Sequence, residues 1–293
     1  MSPAARLRAV PGEALPVAAV VLGREVDVVA ALLPRLFNLC RSAQEQAVAV
    51  ALGRVATGAA ARDVLRDHLL KLLVTWPQHL GLAPQPLPQT WASDPDAVRA
   101  AVYGPNGPPA TPAAFHDFLA SGQGAAPVLS AIAAAFAPFE ASARPLPFAT
   151  PATLWSKAPQ ENSIAARHPG APILAALAST HGRAPLWRAT ARLLDVALVL
   201  DGGLPAPASP APGLAVVAAT RGLYGLRLIA VDGRVTDFAR ITPTDALLAP
   251  GGPLEQSLAT LDHTDRAPLL LDILDPCTAL TLEPIPATEA DHA

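Results

Sequence analysis

The clearest periodicity in the chain lies within residues 62–80, where Leu65, Leu69, Leu72, Leu73, Trp76 and Leu80 recur at helical spacing. That pattern predicts one apolar face packed against neighbouring helices. Residues 41–52, alanine-rich with polar positions interspersed, read as a second helix. Leu82-Ala83-Pro84-Gln85-Pro86-Leu87-Pro88 then stops helical structure, because proline lacks the N–H and clashes with the preceding turn. Further helices are expected over 125–137, 172–180 and 184–200, the last ended by Gly202-Gly203. Residues 15–31 read as a strand followed by a helix start, and 104–114 as a proline- and glycine-rich loop.

After a proline-rich connector at 204–213 the period changes from helical to alternating. Residues 224–231 and 234–241 flank Asp232-Gly233, a dipeptide suited to a type I′ turn, and so predict a β-hairpin. An apolar run at 269–274 leads into Asp275-Pro276-Cys277. The expected class is mainly α with a small antiparallel β-hairpin or sheet (α+β), in one domain spanning 1–293.

Composition narrows the function. Hydrophobic residues make up 51% and charged residues 15%, which excludes an intrinsically disordered chain. Lys and Arg number 21 against 24 Asp and Glu, so there is no basic excess to neutralise a phosphate backbone and nucleic acid is not an expected partner. The apolar runs at 17–22 and 131–136 fall far short of the ~18 residues of a membrane span. With no apolar leader segment after Met1, a soluble, cytoplasmic protein is expected.

Common catalytic signatures are absent. The sequence has no G-x-S-x-G, H-E-x-x-H or Walker A motif, and the 53–58 segment lacks the lysine and hydroxyl of a phosphate cradle. His68 and His79 stand eleven positions apart on one predicted helix, too far for ordinary shared ligation, and read as partly buried or surface imidazoles. The chain has two cysteines, Cys40 and Cys277. Taken alone, each reads as a small buried hydrophobe.

Their flanks say more. Arg35-Leu36-Phe37-Asn38-Leu39-Cys40-Arg41-Ser42-Ala43-Gln44 resembles the R-I-C-G-V-C-x-x-x-H motif of nickel-iron hydrogenase large subunits, and Asp275-Pro276-Cys277-Thr278-Ala279-Leu280-Thr281-Leu282-Glu283 resembles their D-P-C-x-x-C-x-x-H. Between them, residues 161–167 are similar to E-T-G-P-L-A-R, Arg221-Gly222-Leu223 to A-P-R-G-x-L, Thr242-Pro243-Thr244 to P-S/T, and residues 252–258 to G-P-x-E-x-A-L. The order is kept from about residue 30 to 283. The resemblance implies a helical core like that of the large subunit. Phe37, Leu280, Gln44 and Glu283 stand where that family has two metal thiolates and two histidines, so a nickel site is not expected.

What the resemblance retains is one cysteine from each motif, together with the arginine and hydroxyl that face cyanide ligands of the family's iron. A shortened chain with an iron-cyanide pocket and no nickel site is similar to the HupK/HoxV group of hydrogenase maturation proteins. This implies a non-catalytic scaffold, with Cys40 and Cys277 as metal ligands and Arg221 and Thr244 as cofactor-binding residues. The cargo implied is an Fe(CN)2(CO) unit held transiently, without nickel. The implied partners are hydrogenase maturation proteins and the large-subunit precursor. The alternative is a metal-free structural chaperone for hydrogenase assembly proteins. Further expectations are that Arg221 helps to keep the cysteines deprotonated, that its loss barely changes melting temperature, and that the C-terminus is not cleaved after Glu283.

Overall fold

The computed structural model describes residues 6–13, 15–36, 40–56 and 60–285. Phe37, the 57–58 part of the rejected phosphate-cradle segment and the final residues 291–293 lie outside them. In chain order the elements begin with β1 (Leu7–Pro11), α1 (Val17–Val21), α2 (Val26–Leu36), α3 (Arg41–Ala51) and α4 (Ala60–Leu70). A π-helical turn at Lys71–Thr75 joins α4 to α5 (Trp76–His79), and α6 (Pro95–Tyr103), α7 (Pro112–Ser121), α8 (Ala126–Ala135), α9 (Pro172–His181) and α10 (Pro185–Leu200) follow. The chain then forms β2 (Leu214–Ala219), β3 (Gly222–Val231), β4 (Arg234–Ile241), α11 (Pro243–Leu248), α12 (Pro253–Ala259), α13 (Ala267–Leu274) and β5 (Leu280–Pro284). This is the expected α+β class, largely helical with antiparallel sheets.

Local chemistry accounts for most boundaries. Proline occupies the first turn of α6 to α13, where its missing N–H would have no intrahelical partner anyway. Thr242 caps α11 in a capping box with Asp245, and Asp94 caps α6 through the Asp96 and Ala97 N–H groups. At the β3–β4 turn both Asp232 and Gly233 have positive φ, 50° and 74°, as a type I′ turn demands.

The expected strand within 15–31 is not there. Val17–Val21 is helical and buries Val17 and Val21 against β4 and α2, so a five-residue apolar run at a helix start had mimicked a strand. Two strand pairings escaped the sequence pattern altogether. β1 pairs antiparallel with β5, Leu7 opposite Pro284 and Pro11 opposite Leu280, tying the two ends of the chain. β2 adds to the predicted hairpin, giving the order β2-β3-β4.

Two cores result. One packs α1, α2 and α3 on one face of the three-stranded sheet through Val29, Leu33, Ala47, Val217, Tyr224 and Leu226. The larger one gathers α4 to α10 and α13 around Leu69, Leu72, Trp76, Leu129, Ile132, Leu193 and Leu270. The candidate site lies where the two meet. No single helix is long and apolar enough to cross a membrane among the described residues.

Candidate functional site

Each expected site residue is delivered by a different element. Cys40 is the N-cap of α3. Arg221 sits in the two-residue connection between β2 and β3, buried to 9% exposure together with Thr220, which is unusual for a hairpin turn. Thr244 lies in the first turn of α11, immediately after β4. Cys277 follows α13, whose end is set by Asp275 in a left-handed conformation, φ 57°.

Contacts join these four residues into a chain. Arg221 grips Asp275 with Nε at 2.9 Å and Nη2 at 3.2 Å, while Nη1 stands 4.0 Å from Cys40 Sγ. Thr244 Oγ1 donates to Cys277 Sγ at 2.9 Å and accepts the Cys277 N–H at 2.9 Å. Asp275 and Cys277 are separated by one proline, so the two contact sets share a short rigid segment. Arg221 and Thr244 also line one small cavity. Among the described residues no three His, Cys, Asp or Glu side chains cluster as metal ligands.

The thiols differ. Cys40 is half-buried and Cys277 exposed. Burial pushes the Cys40 thiol up, Arg221 pulls it back only partly, and the nearby Cys277 raises it further. Arg221 acts on Cys40 in the expected direction, but burial outweighs it and the thiol stays above its ordinary value. Part of the guanidinium's field is already taken up by Asp275.

Beneath the site lies an ionic core that the sequence reading missed. On α10, Arg188, Arg192 and Asp195 fall at i, i+4 and i+7 and so share one stripe, all buried. Arg188 pairs with Glu161 through both terminal nitrogens, at 2.9 and 3.0 Å. Arg192 donates to Asp67, to His68 Nδ1 at 3.1 Å and to Asp275 at 2.8 Å. Lys71 reaches Asp275 at 3.1 Å, so three cations surround that carboxylate. Burial alone would raise Asp275, but Arg192, then Arg221 and Lys71, bring it down to about 2.

His68 is fully buried, its Nε2 at 2.7 Å from Asp195. Because Nδ1 accepts from Arg192, the proton sits on Nε2 and the ring is neutral; burial and Arg192 both lower its affinity for a second proton, against the pull of Asp195. His79, by contrast, is half exposed and meets Asp272 at 3.2 Å, so the two histidines of the helix do not converge. The signal for the ionic core was present in the sequence as charges spaced by helical turns within an otherwise apolar segment.

Asn162 completes the positioning of Arg221. Its side chain accepts the Leu223 N–H at 2.8 Å and donates to the Leu223 carbonyl at 2.9 Å. A Cβ on Gly222 would stand 2.6 Å from Asn162 Oδ1 and 2.8 Å from its backbone oxygen, so only glycine allows this approach beside Arg221.

No protein-family model matches the chain. It is 48% identical over 277 residues to the hydrogenase expression/formation protein HupK of Rhodobacter capsulatus, a match covering 93% of this chain and 91% of that protein.

Proposed function

The chain belongs to the HupK family of hydrogenase expression/formation proteins, and from that premise we propose that it is a non-catalytic scaffold for the Fe(CN)2(CO) unit of nickel-iron hydrogenase. The observation that carries this reading is the continuous set of contacts from Cys40 through Arg221 and Asp275 to Cys277 and Thr244. Two thiols are a small ligand set. They suit an iron that arrives with three diatomic ligands of its own and would not suit a bare cation.

In this reading Cys40 and Cys277 hold the iron as thiolates, Arg221 offers donors to its anionic ligands, and the single Thr244 O–H turns from Cys277 Sγ to one of them on binding. A guanidinium and a hydroxyl fit that task, since charge-assisted hydrogen bonds to an anion are stronger in a dry pocket than in water. Cys40 loses its proton on binding, so uptake is coupled to proton release and favoured by higher pH. Hydrogen turnover and nickel binding are not part of the role. The cargo is received from and passed to hydrogenase maturation proteins in the cytoplasm, with the large-subunit precursor as recipient.

A second reading is favoured by one observation: Arg221 is already committed to Asp275 through two nitrogens, as a purely structural arginine would be. In that case the protein assists assembly without metal. Iron content after anaerobic purification from a hydrogenase-forming host separates the two. About one iron and no nickel per chain supports the scaffold; folded protein without iron supports the metal-free role.

A further inference from the structure

Two adjoining cavities, of about 20 Å3 and about 30 Å3, lie behind Arg221 and share Ser163, Arg188, Arg221, Leu274 and Asp275 in their walls. A cavity of ~10–15 Å3 already admits a water, so the two adjoining cavities together have room for a group of two or three heavy atoms. The wall of the second cavity carries three guanidiniums, Arg188, Arg192 and Arg221, against the single carboxylate of Asp275. The carboxylate that balances Arg188 lies to one side, since Glu161 borders the first cavity and not the second.

Arg188 is the informative residue. Both its terminal nitrogens are engaged by Glu161, and the residue is only 8% exposed. Its Nε is buried and has no hydrogen-bond partner among the described residues. A buried donor left unpaired is costly, and such groups are rare unless something outside the protein completes them. Carboxylate anchoring of the fork also fixes the direction of this N–H, which is what a selective site needs.

We infer that Arg188, with Arg192 and Arg221, forms a subsite for one compact anion of two or three atoms, separate from the Thr244 hydroxyl and from the thiols. The site itself stands without iron. Its meaning rests on the scaffold reading, in which the anion is a diatomic ligand of the bound unit; the other source is a free small anion.

Azide is a suitable probe, with its infrared stretch as the signal. Metal-free chain is expected to bind it saturably near one equivalent, with a band displaced from that of free azide. Arg188→Lys, which keeps the charge but loses the fixed Nε donor, should weaken binding roughly tenfold to a hundredfold. If Arg188→Lys does not fold, the paired change Arg188→Gln with Glu161→Gln removes both charges together and serves the same purpose. No saturable azide binding by folded wild-type chain, or unchanged affinity in a folded Arg188 variant, overturns the inference. Iron-loaded chain that no longer takes up azide assigns the cavity to a ligand of the iron unit, whereas loaded chain that binds azide as before overturns that assignment. Because the first arm uses no iron, failure of the subsite and failure of the scaffold reading give different results.

Discussion

Thr244 and Cys277 hold each other by two hydrogen bonds through one hydroxyl: the Thr244 O–H points at the sulfur while its oxygen accepts the Cys277 N–H, both at 2.9 Å. The hydroxyl thus fixes the direction of an otherwise exposed thiol and satisfies a backbone donor at the same time. Its helix begins at the Thr242–Asp245 capping box, so the geometry is set two residues ahead of the contact.

Thr244→Val should therefore separate positioning from stability. The change removes both bonds, and a loss of about 1–2 kcal/mol is expected, within what a folded chain tolerates. Iron carried by anaerobically purified protein should fall severalfold, and Thr244→Ser, which restores the hydroxyl, should recover it. Equal iron content in the valine variant would remove Thr244 from the site.

The two contacts of Arg221 with Asp275 lead to a different expectation from the sequence-based one of little change in melting temperature. Removing one partner from a buried ion pair typically costs about 3–5 kcal/mol, and Arg192 and Lys71 remain on Asp275 to hold the loss near the lower end. Arg221→Leu should accordingly lower both iron content and melting temperature. Arg221→Lys, charged but without the two-pronged grip, should keep more of the stability than of the iron. Differential scanning calorimetry beside metal analysis checks this.

The thiols should label in a fixed order. With iodoacetamide at pH 7.5, Cys277 is expected to react first because it is exposed, and Cys40 slowly because it is half-buried and protonated. Arg221→Gln removes the cation that partly offsets burial and should slow Cys40 further. Peptide mass spectrometry of timed samples reads both rates; Cys40 labelling first would contradict the assigned electrostatics.

Acid should weaken the fold in two stages. His68 is neutral and resists protonation when folded, whereas the unfolded chain takes up a proton near the ordinary histidine value of ~6.5. Stability from this group is thus full above that pH and falls below it, by ~1.4 kcal/mol per pH unit for one proton. Asp275 acts later: its carboxylate titrates at about 2 when folded, against ~3.9 unfolded, so its contribution is present above pH ~4 and is lost as the pH falls toward 2. Urea unfolding at pH 7 and 5.5 should show the first stage, and His68→Gln should flatten it.

Much of this was legible in the sequence where a local signal existed. Asp232-Gly233 specified its turn, and Gly202-Gly203 marked the end of α10. The β1–β5 pair was not legible, because two five-residue strands at opposite ends of the chain carry no local sign that they meet. Cys40, Arg221, Thr244 and Cys277 were found through the order of weak motifs, not through spacing. Arg188, Arg192 and Asp195 were passed over because in a helix buried all round, charged positions look like its solvent face.

The central claim is that both cysteines hold an iron unit carrying cyanide and carbon monoxide. Its most direct test is the infrared spectrum of chain purified anaerobically after co-expression with the hydrogenase maturation proteins. The account predicts cyanide and carbonyl stretches at a stoichiometry matching the iron, lost in both Cys40→Ser and Cys277→Ser while each variant stays folded. Folded wild-type chain with no such bands, or bands that survive both substitutions, would contradict it.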